Sequence, residues 1–308
     1  MGKVAFVFPG QGAQKIGMGK DFYDNSVCVR EIYETASQSL DFSVEKLCFE
    51  ENEYLNITEY TQAAMLTTSV AMLREIERKG YRCDVVAGLS LGEYTALVAC
   101  KAMTFQEAVK VVRQRGLLMQ EAVPAGRGAM AAILGMNGEA VCAVVEQMDG
   151  VSVANYNCPG QVVISGEKEA VNEACERLKE AGAKRTMPLN VSGPFHSKML
   201  RKVGKELGAL LEDVTINTPQ IPYVTNVTAS YITMATDIKE LLEKQVYSSV
   251  MWEQSVREMI ANGVDCFVEI GPGRTLSAFV KKISQDVKVY NVEKWDDLEV
   301  LKEIQWRK

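Results

Sequence analysis

The sequence predicts an α/β protein: a mostly parallel sheet flanked by helices, a hydrolase-like core, with a ferredoxin-like subdomain inserted into it. Three observations predict this. Short apolar runs such as Val4 to Phe8, Val85 to Ala87 and Cys266 to Ile270 alternate with stretches of helical periodicity. Gly88-Leu89-Ser90-Leu91-Gly92 stands between one such run and a helix-like stretch. Between Arg127 and Gly193 the order of patterns is strand, helix, strand, strand, helix, strand. The chain therefore divides into a large α/β unit of residues 1–126 and 194–308 and a small unit of residues 127–193.

The elements follow in order. Val4 to Phe8 is a buried strand that runs into the flexible loop Pro9-Gly10-Gln11-Gly12. Helical patterns cover Val29 to Leu40 and Gln62 to Lys79, the second stopped by Gly80. After the Val85 strand and the Ser90 turn come a helix through Cys100 and another over Phe105 to Ala122. In the second of these, Lys110, Arg113 and Arg115 read as the charged side of an amphipathic surface. The inserted unit reads as strands over Ala129 to Met136, Val151 to Tyr156, Gln161 to Ser165 and Lys184 to Leu189, with helices over Glu139 to Met148 and Lys168 to Ala181. Beyond it the patterns give a helix over Met199 to Leu211, an extended Ile221 to Asn226, helices near Asp237 to Lys244 and over Trp252 to Asn262, and strands over Cys266 to Ile270 and Val287 to Val292.

Composition narrows the function. The 308 residues carry a formal net charge of −6 with no basic stripe, which argues against a nucleic-acid partner. No apolar stretch approaches the ~20 residues of a membrane span, so no membrane partner is expected. Eight cysteines lack any C-x-x-C pair and one histidine leaves little for a zinc site, so no metal is expected. Scattered free cysteines, and an N-terminus that meets a turn at Pro9-Gly10 before a signal peptide's apolar region, predict a cytoplasmic protein.

Chemistry is carried by the strand-turn-helix around Ser90, the arrangement of a nucleophile elbow. G-x-S-x-G alone arises by chance in roughly one 300-residue chain in ten; the strand before it and the helix after it make it informative. Serine needs a base, and His196, on the loop Gly193-Pro194-Phe195-His196, is the only imidazole in the chain. The backbone N–H of Leu91 would face an oxyanion at the mouth of the turn, and a second donor is expected from the Gly10-Gln11-Gly12 loop. That loop lacks the third glycine of a dinucleotide fingerprint, since Lys15 stands there.

Five motifs in this order, Phe8-Pro9-Gly10-Gln11-Gly12-Ala13-Gln14, Gly88 to Tyr94, Arg115-Gly116 with Met119-Gln120-Glu121, Asn155 to Gln161 and Glu269 to Gly273, resemble malonyl-CoA:acyl-carrier-protein transacylases over essentially the whole chain. The resemblance implies malonyl transfer through Ser90 to the phosphopantetheine thiol of acyl carrier protein, for fatty-acid elongation, with His196 as base and then acid. It implies no bound cofactor: the CoA thioester is substrate, and phosphopantetheine is carried by the partner protein. The family's carboxylate-binding arginine maps to Arg115, and its oxyanion donors map to the backbone of Gln11 and Leu91. The carbonyl that orients the imidazole maps to Met251, which stands where the family commonly has glutamine before Trp252. Two residues bear on acyl selectivity: Leu89, where the family commonly has histidine, and Phe195, which fits a pocket too narrow for an α-methyl group. Lys184, Arg185, Lys198, Arg201 and Lys202 are candidates for docking an acidic carrier. A serine thioesterase or hydrolase would share Ser90 and His196 but has no use for a buried Arg115. A polyketide acyltransferase would share all three.

Overall fold

Val4, Phe6 and Phe8 belong to one hydrophobic core and Ala5 and Val7 to another, so the first strand is buried on both faces and reads as a continuous apolar run. A computed structural model, which describes residues 2–124, 126–191 and 193–306, places this strand inside a six-stranded sheet. In chain order the first part comprises β1 (Lys3–Phe8), α1 (Lys20–Asn25), α2 (Val27–Ser39), α3 (Val44–Phe49), α4 (Thr58–Arg78), β2 (Val85–Gly88), α5 (Gly92–Ala99) and α6 (Phe105–Glu121). The inserted part comprises β3 (Gly128–Leu134), α7 (Gly138–Val145), β4 (Val151–Cys158), β5 (Gln161–Glu167), α8 (Lys168–Glu180) and β6 (Arg185–Pro188). The chain then runs through α9 (Arg201–Glu212), β7 (Tyr223–Val224), β8 (Tyr231–Ile232), α10 (Ile238–Gln245), α11 (Trp252–Ala261), β9 (Val264–Ile270), α12 (Thr275–Ile283) and β10 (Lys288–Val292).

The large sheet has the order β10-β9-β1-β2-β7-β8 and is parallel except for β8. Its register places Phe8 beside Gly88, so β1 and β2 end together and their carboxyl ends open on one crevice. One face packs on α4 and α5, with α2 and α6 packed on α4 in turn; the other packs on α11 and α12 through Trp252, Val256, Leu276 and Val280. Helix α4 is buried almost all round, because small and hydroxylated residues line it where its neighbours approach.

The inserted strands form an antiparallel sheet of order β4-β5-β3-β6, with α7 and α8 packed on it. In the subdomain's own numbering this is the 4-1-3-2 order of a ferredoxin-like fold, read in reverse, and it agrees with the sequence pattern. The two sheets are joined where β4 meets the segment before α11. Tyr156 N–H donates to the Val250 carbonyl at 2.9 Å and Val250 N–H to the Ala154 carbonyl at 2.8 Å.

The periodicity did not predict α1, α3, β8 or α12. The first two are six residues long, too short for a helical period to show. Helix α12 lacks a local cap. The Glu269 carboxylate at the end of β9 accepts from Leu276 N–H at 3.0 Å and Ser277 N–H at 2.7 Å, a capping partner that sequence adjacency does not reveal.

Candidate active site

Ser90 sits at φ 53°, in the left-handed region, on the turn between β2 and α5. The flanking glycines are steric requirements. A Cβ on Gly88 would lie 1.9 Å from the Gly92 carbonyl oxygen, and one on Gly92 would lie 2.1 Å from the Phe8 carbonyl oxygen. The turn is held from the other side by Asn226, which follows β7. Its Oδ1 accepts from Ser90 N–H at 2.5 Å, and its Nδ2 donates to the Gly88 carbonyl at 2.6 Å. Nothing in the sequence pattern marks Asn226, because 136 residues separate it from Ser90.

Ser90 Oγ lies 2.8 Å from His196 Nε2, and His196 Nδ1 lies 2.8 Å from the Gln245 carbonyl. A carbonyl only accepts, so the proton is assigned to Nδ1, leaving Nε2 as acceptor for the serine O–H. Burial, reinforced by the nearby Arg115 charge, lowers the imidazole to about 4, so the ring is a neutral base at pH 7. The expectation for Met251 is corrected. Its carbonyl accepts from Ser255 N–H at 2.9 Å and Ser255 Oγ at 2.8 Å, because Met251 caps α11 and its oxygen belongs to that helix's first turn. The carbonyl that meets the imidazole belongs to Gln245, at the end of α10.

Arg115 is not on the surface that the periodicity of α6 suggested; it is 1% exposed. The cause is its neighbour: a Cβ on Gly116 would lie 2.5 Å from Glu59 Cα, so α6 crosses the start of α4 closely enough to enclose position 115. The guanidinium donates from Nη1 to Gln62 Oε1 at 2.8 Å, and from Nη2 to Gln245 Oε1 at 2.9 Å and Ser90 Oγ at 3.2 Å. It also lies over the Tyr94 ring, 5.6 Å from the centroid. Nε has no hydrogen-bond partner, and among the described residues no carboxylate pairs directly with this cation. Arginine keeps its charge under such burial, so the site holds a positive charge hydrogen-bonded only to neutral groups, with the Glu93 carboxyl acting on it through space.

These residues line a cavity of about 740 Å³ at the carboxyl ends of β1 and β2. Gln11 and Leu91 are on its wall, and their backbone N–H groups make no hydrogen bond among the described residues. Gly10 brings the two together: its Cβ would lie 2.5 Å from the Leu89 carbonyl oxygen. Leu89 and Phe195 also line the cavity, Phe195 being 8% exposed. Asn155 and Asn157, from β4, face it with side-chain amides that have no partner among the described residues. The cavity thus brings together Ser90, His196, Gln11, Leu91, Arg115, Phe195 and Leu89, and leaves out Met251. Among the described residues no helix is long and apolar enough to cross a membrane, and no group of three His, Cys, Asp or Glu could hold a metal ion.

The model of the acyl transferase domain matches residues 5–296. A malonyl CoA-acyl carrier protein transacylase of Bacillus subtilis is 46% identical over 305 residues, 97% of this chain and 96% of that one. The crystal structure of the Clostridium perfringens malonyl CoA-acyl carrier protein transacylase superimposes with a TM-score of 0.95 at 43% identity, covering 98% of this chain and 96% of that chain. A malonyl-transacylase solved in complex with its type II PKS acyl-carrier protein gives a TM-score of 0.95 at 39% identity, covering 98% and 99%. A nucleophile elbow, a buried arginine beside it and full-length identity above 40% concur, and the chain belongs to the malonyl CoA-acyl carrier protein transacylase family of acyl transferases.

Proposed function

We propose that the protein transfers a malonyl group from malonyl-CoA to the phosphopantetheine thiol of an acyl carrier protein through a malonyl-serine intermediate. Ser90 Oγ attacks the thioester carbonyl as His196 Nε2 takes its proton. The tetrahedral intermediate collapses, the C–S bond breaks, and the CoA sulfur leaves as thiol with the proton from the imidazolium. In the second half the carrier's thiol gives its proton to Nε2 and attacks the ester, and Ser90 Oγ leaves and recovers that proton. In both halves the N–H groups of Gln11 and Leu91 would meet the oxyanion. Losing one such donor costs about 10²–10³ in rate in acyl transfer generally.

One observation carries the substrate assignment: the buried Arg115 cation, within 3.2 Å of Ser90 Oγ, has only neutral hydrogen-bond partners among the described residues. An acyl group ending in a free carboxylate supplies the missing anion, and the planar guanidinium suits bidentate pairing. A neutral acyl chain would leave that cation uncompensated. The unpartnered amides of Asn155 and Asn157 would meet the two amide groups of the pantetheine arm, which CoA and the carrier protein share. The chain supplies every reacting group except the two thiols and the acyl group, so no resident cofactor enters the scheme. Eight free cysteines and a CoA thioester substrate support a cytoplasmic setting.

Relatives at 42–46% identity named for the CoA-to-carrier reaction support a role in fatty-acid elongation. The relative solved with a polyketide carrier supports the same chemistry in polyketide assembly. The test is intact mass after brief mixing with malonyl-CoA, beside Ser90→Ala and an acetyl-CoA control. A malonyl adduct lost with Ser90→Ala and discharged by holo carrier protein is expected. Free malonate accumulating without carrier would instead make the protein a hydrolase.

A further inference from the structure

One ionisable group of the site has no part in this scheme. Glu93, in the first turn of α5 directly behind the elbow, is fully buried. Its Oε2 accepts from Gln245 Nε2 at 2.7 Å and from Asn226 N–H at 3.2 Å, while Oε1 has no hydrogen-bond partner among the described residues. Gln245 is thereby engaged on every side. Its Nε2 also donates to the Ser90 carbonyl at 3.0 Å, its Oε1 accepts from Arg115, and its own carbonyl accepts from His196 Nδ1. A carboxylate accepts and a guanidinium donates, so the two together allow one orientation of the Gln245 amide: nitrogen toward Glu93, oxygen toward Arg115.

Resting on the proposed malonyl transfer, we infer that Glu93 is a further positioning residue of the reaction, fixing through Gln245 the placement of Arg115 and of His196 relative to Ser90. It does not touch the imidazole, whose Nδ1 is held by the Gln245 carbonyl; it reaches His196 only through the residue that carries that carbonyl. Without it the Gln245 amide nitrogen keeps only the Ser90 carbonyl as acceptor, and the residue on which both the arginine and the histidine rest is held less firmly. The titratable or charged groups that interact with Glu93 are Arg115 of α6, Tyr223 of β7 and Tyr94 of its own helix; Gln245, Asn226 and Thr225 provide neutral contacts. Burial raises the Glu93 carboxyl to about 7, so the wild-type protein titrates it near neutrality.

The single histidine makes this testable, because labelled-histidine nitrogen NMR reports His196 alone. In the substrate-free wild type the proton is expected on Nδ1, and the imidazole signals are expected to shift as Glu93 titrates around pH 7. Glu93→Gln should abolish that shift and slow Ser90 malonylation about tenfold. Gln245→Ala, which keeps the main-chain carbonyl, should cost at least as much, and the double variant should cost no more than Gln245→Ala alone. Malonylation by Glu93→Gln within twofold of wild type with His196 signals unchanged, or losses that simply add in the double variant, would overturn the inference. Should Glu93→Gln not fold, Gln245→Ala decides: malonylation within twofold of wild type with His196 signals unchanged overturns it. A wild type that takes no malonyl group defeats the proposed transfer instead, while the His196 spectra still report on Glu93.

Discussion

Asn226 grips the Ser90 turn at two points, accepting from the Ser90 N–H and donating to the carbonyl of Gly88, so one amide spans the strained residue. A serine at φ 53° stays there only if its surroundings over-determine it. Asn226→Ala would leave the Ser90 N–H without its partner in an interior position. A destabilisation of about 1–3 kcal/mol is expected from that loss. Because the turn also aims Oγ at His196, kcat for malonyl transfer should fall more than KM rises. Thermal unfolding and steady-state kinetics on one preparation check both; an unchanged kcat would show that the glycines alone hold the turn.

Arg115 sets stability against function. A buried cation with no carboxylate in hydrogen-bond contact carries a desolvation cost that its neutral partners and the field of Glu93 offset only in part, and replacing buried ion pairs with well-packed apolar residues is often neutral or stabilising by about 1–4 kcal/mol. Arg115→Met should therefore raise the melting temperature while slowing malonylation of Ser90 about a hundredfold or more, the worth of two charge-assisted hydrogen bonds. Acylation by acetyl-CoA should be affected least. Differential scanning calorimetry beside burst-phase mass spectrometry reads both effects. A lower melting temperature would mean that the bonds to Gln62, Gln245 and Ser90 outweigh the cost of burial.

The pH dependence of stability divides between two buried groups with opposite signs. His196 is lowered from 6.5 to about 4, so its contribution is present above pH 6.5 and is lost as pH falls toward 4. Glu93 is raised from 4.5 to about 7, so its contribution is present below pH 4.5 and is lost as pH rises through 7. Each shift corresponds to about 3 kcal/mol, and between pH 4.5 and 6.5 the two slopes nearly cancel. Relative to wild type, His196→Gln should lose stability as pH rises from 4.5 to 7, and Glu93→Gln should gain it as pH rises from 4 to 6.5. Denaturant midpoints measured at four or five pH values decide the signs; parallel curves for all three proteins would refute the assignment.

What the sequence disclosed and what it concealed separate by distance along the chain. The elbow was legible because its steric demands fall on Gly88 and Gly92, beside the serine they serve. The inserted sheet was legible because alternating patterns and turn residues encode β3 to β6 locally. Arg115 was misread by periodicity alone, since α6 is amphipathic and the close crossing at Gly116 that buries its neighbour depends on α4; only the family resemblance assigned it a role. Gln245, Asn226 and Glu93 act across 49 to 155 residues of chain, and no local spacing signals such contacts. Counting back from Trp252 placed the orienting carbonyl at Met251; only the end of α10 shows that it comes from Gln245.

Acyl selectivity is expected to rest on Phe195, which lines the cavity next to the His196 imidazole. The expectation is that an α-methyl group on the malonyl unit meets this ring once the carboxylate pairs with Arg115. Trimming it in Phe195→Ala opens the cavity and should raise kcat/KM for methylmalonyl-CoA about tenfold relative to malonyl-CoA, within the range one methyl group is worth in an apolar pocket. Competition between the two thioesters for Ser90, read by mass, measures that ratio directly. An unchanged ratio would move the selectivity to Leu89, on the same cavity wall.

Carrier docking is expected on the basic residues flanking the His196 loop. Lys184, Arg185, Lys198, Arg201 and Lys202 are all exposed. Arg201 lies 5.7 Å from the Tyr247 ring centroid, and the Lys202 ammonium is 3.6 Å from Glu206 with 89% of its side chain exposed. On a chain with a net charge of −6, an acidic carrier needs such a local patch to overcome the overall repulsion. Arg201→Glu with Lys202→Glu should raise KM for the carrier about tenfold and flatten its dependence on salt, because exposed charges act mainly on encounter and are screened beyond ~10 Å at 0.1 M. The rate of Ser90 malonylation by malonyl-CoA should stay within twofold, since neither residue lines the cavity. Unchanged carrier kinetics would place docking elsewhere on the cavity's rim, and a parallel loss in the CoA half-reaction would show that the substitutions had disturbed the His196 loop itself.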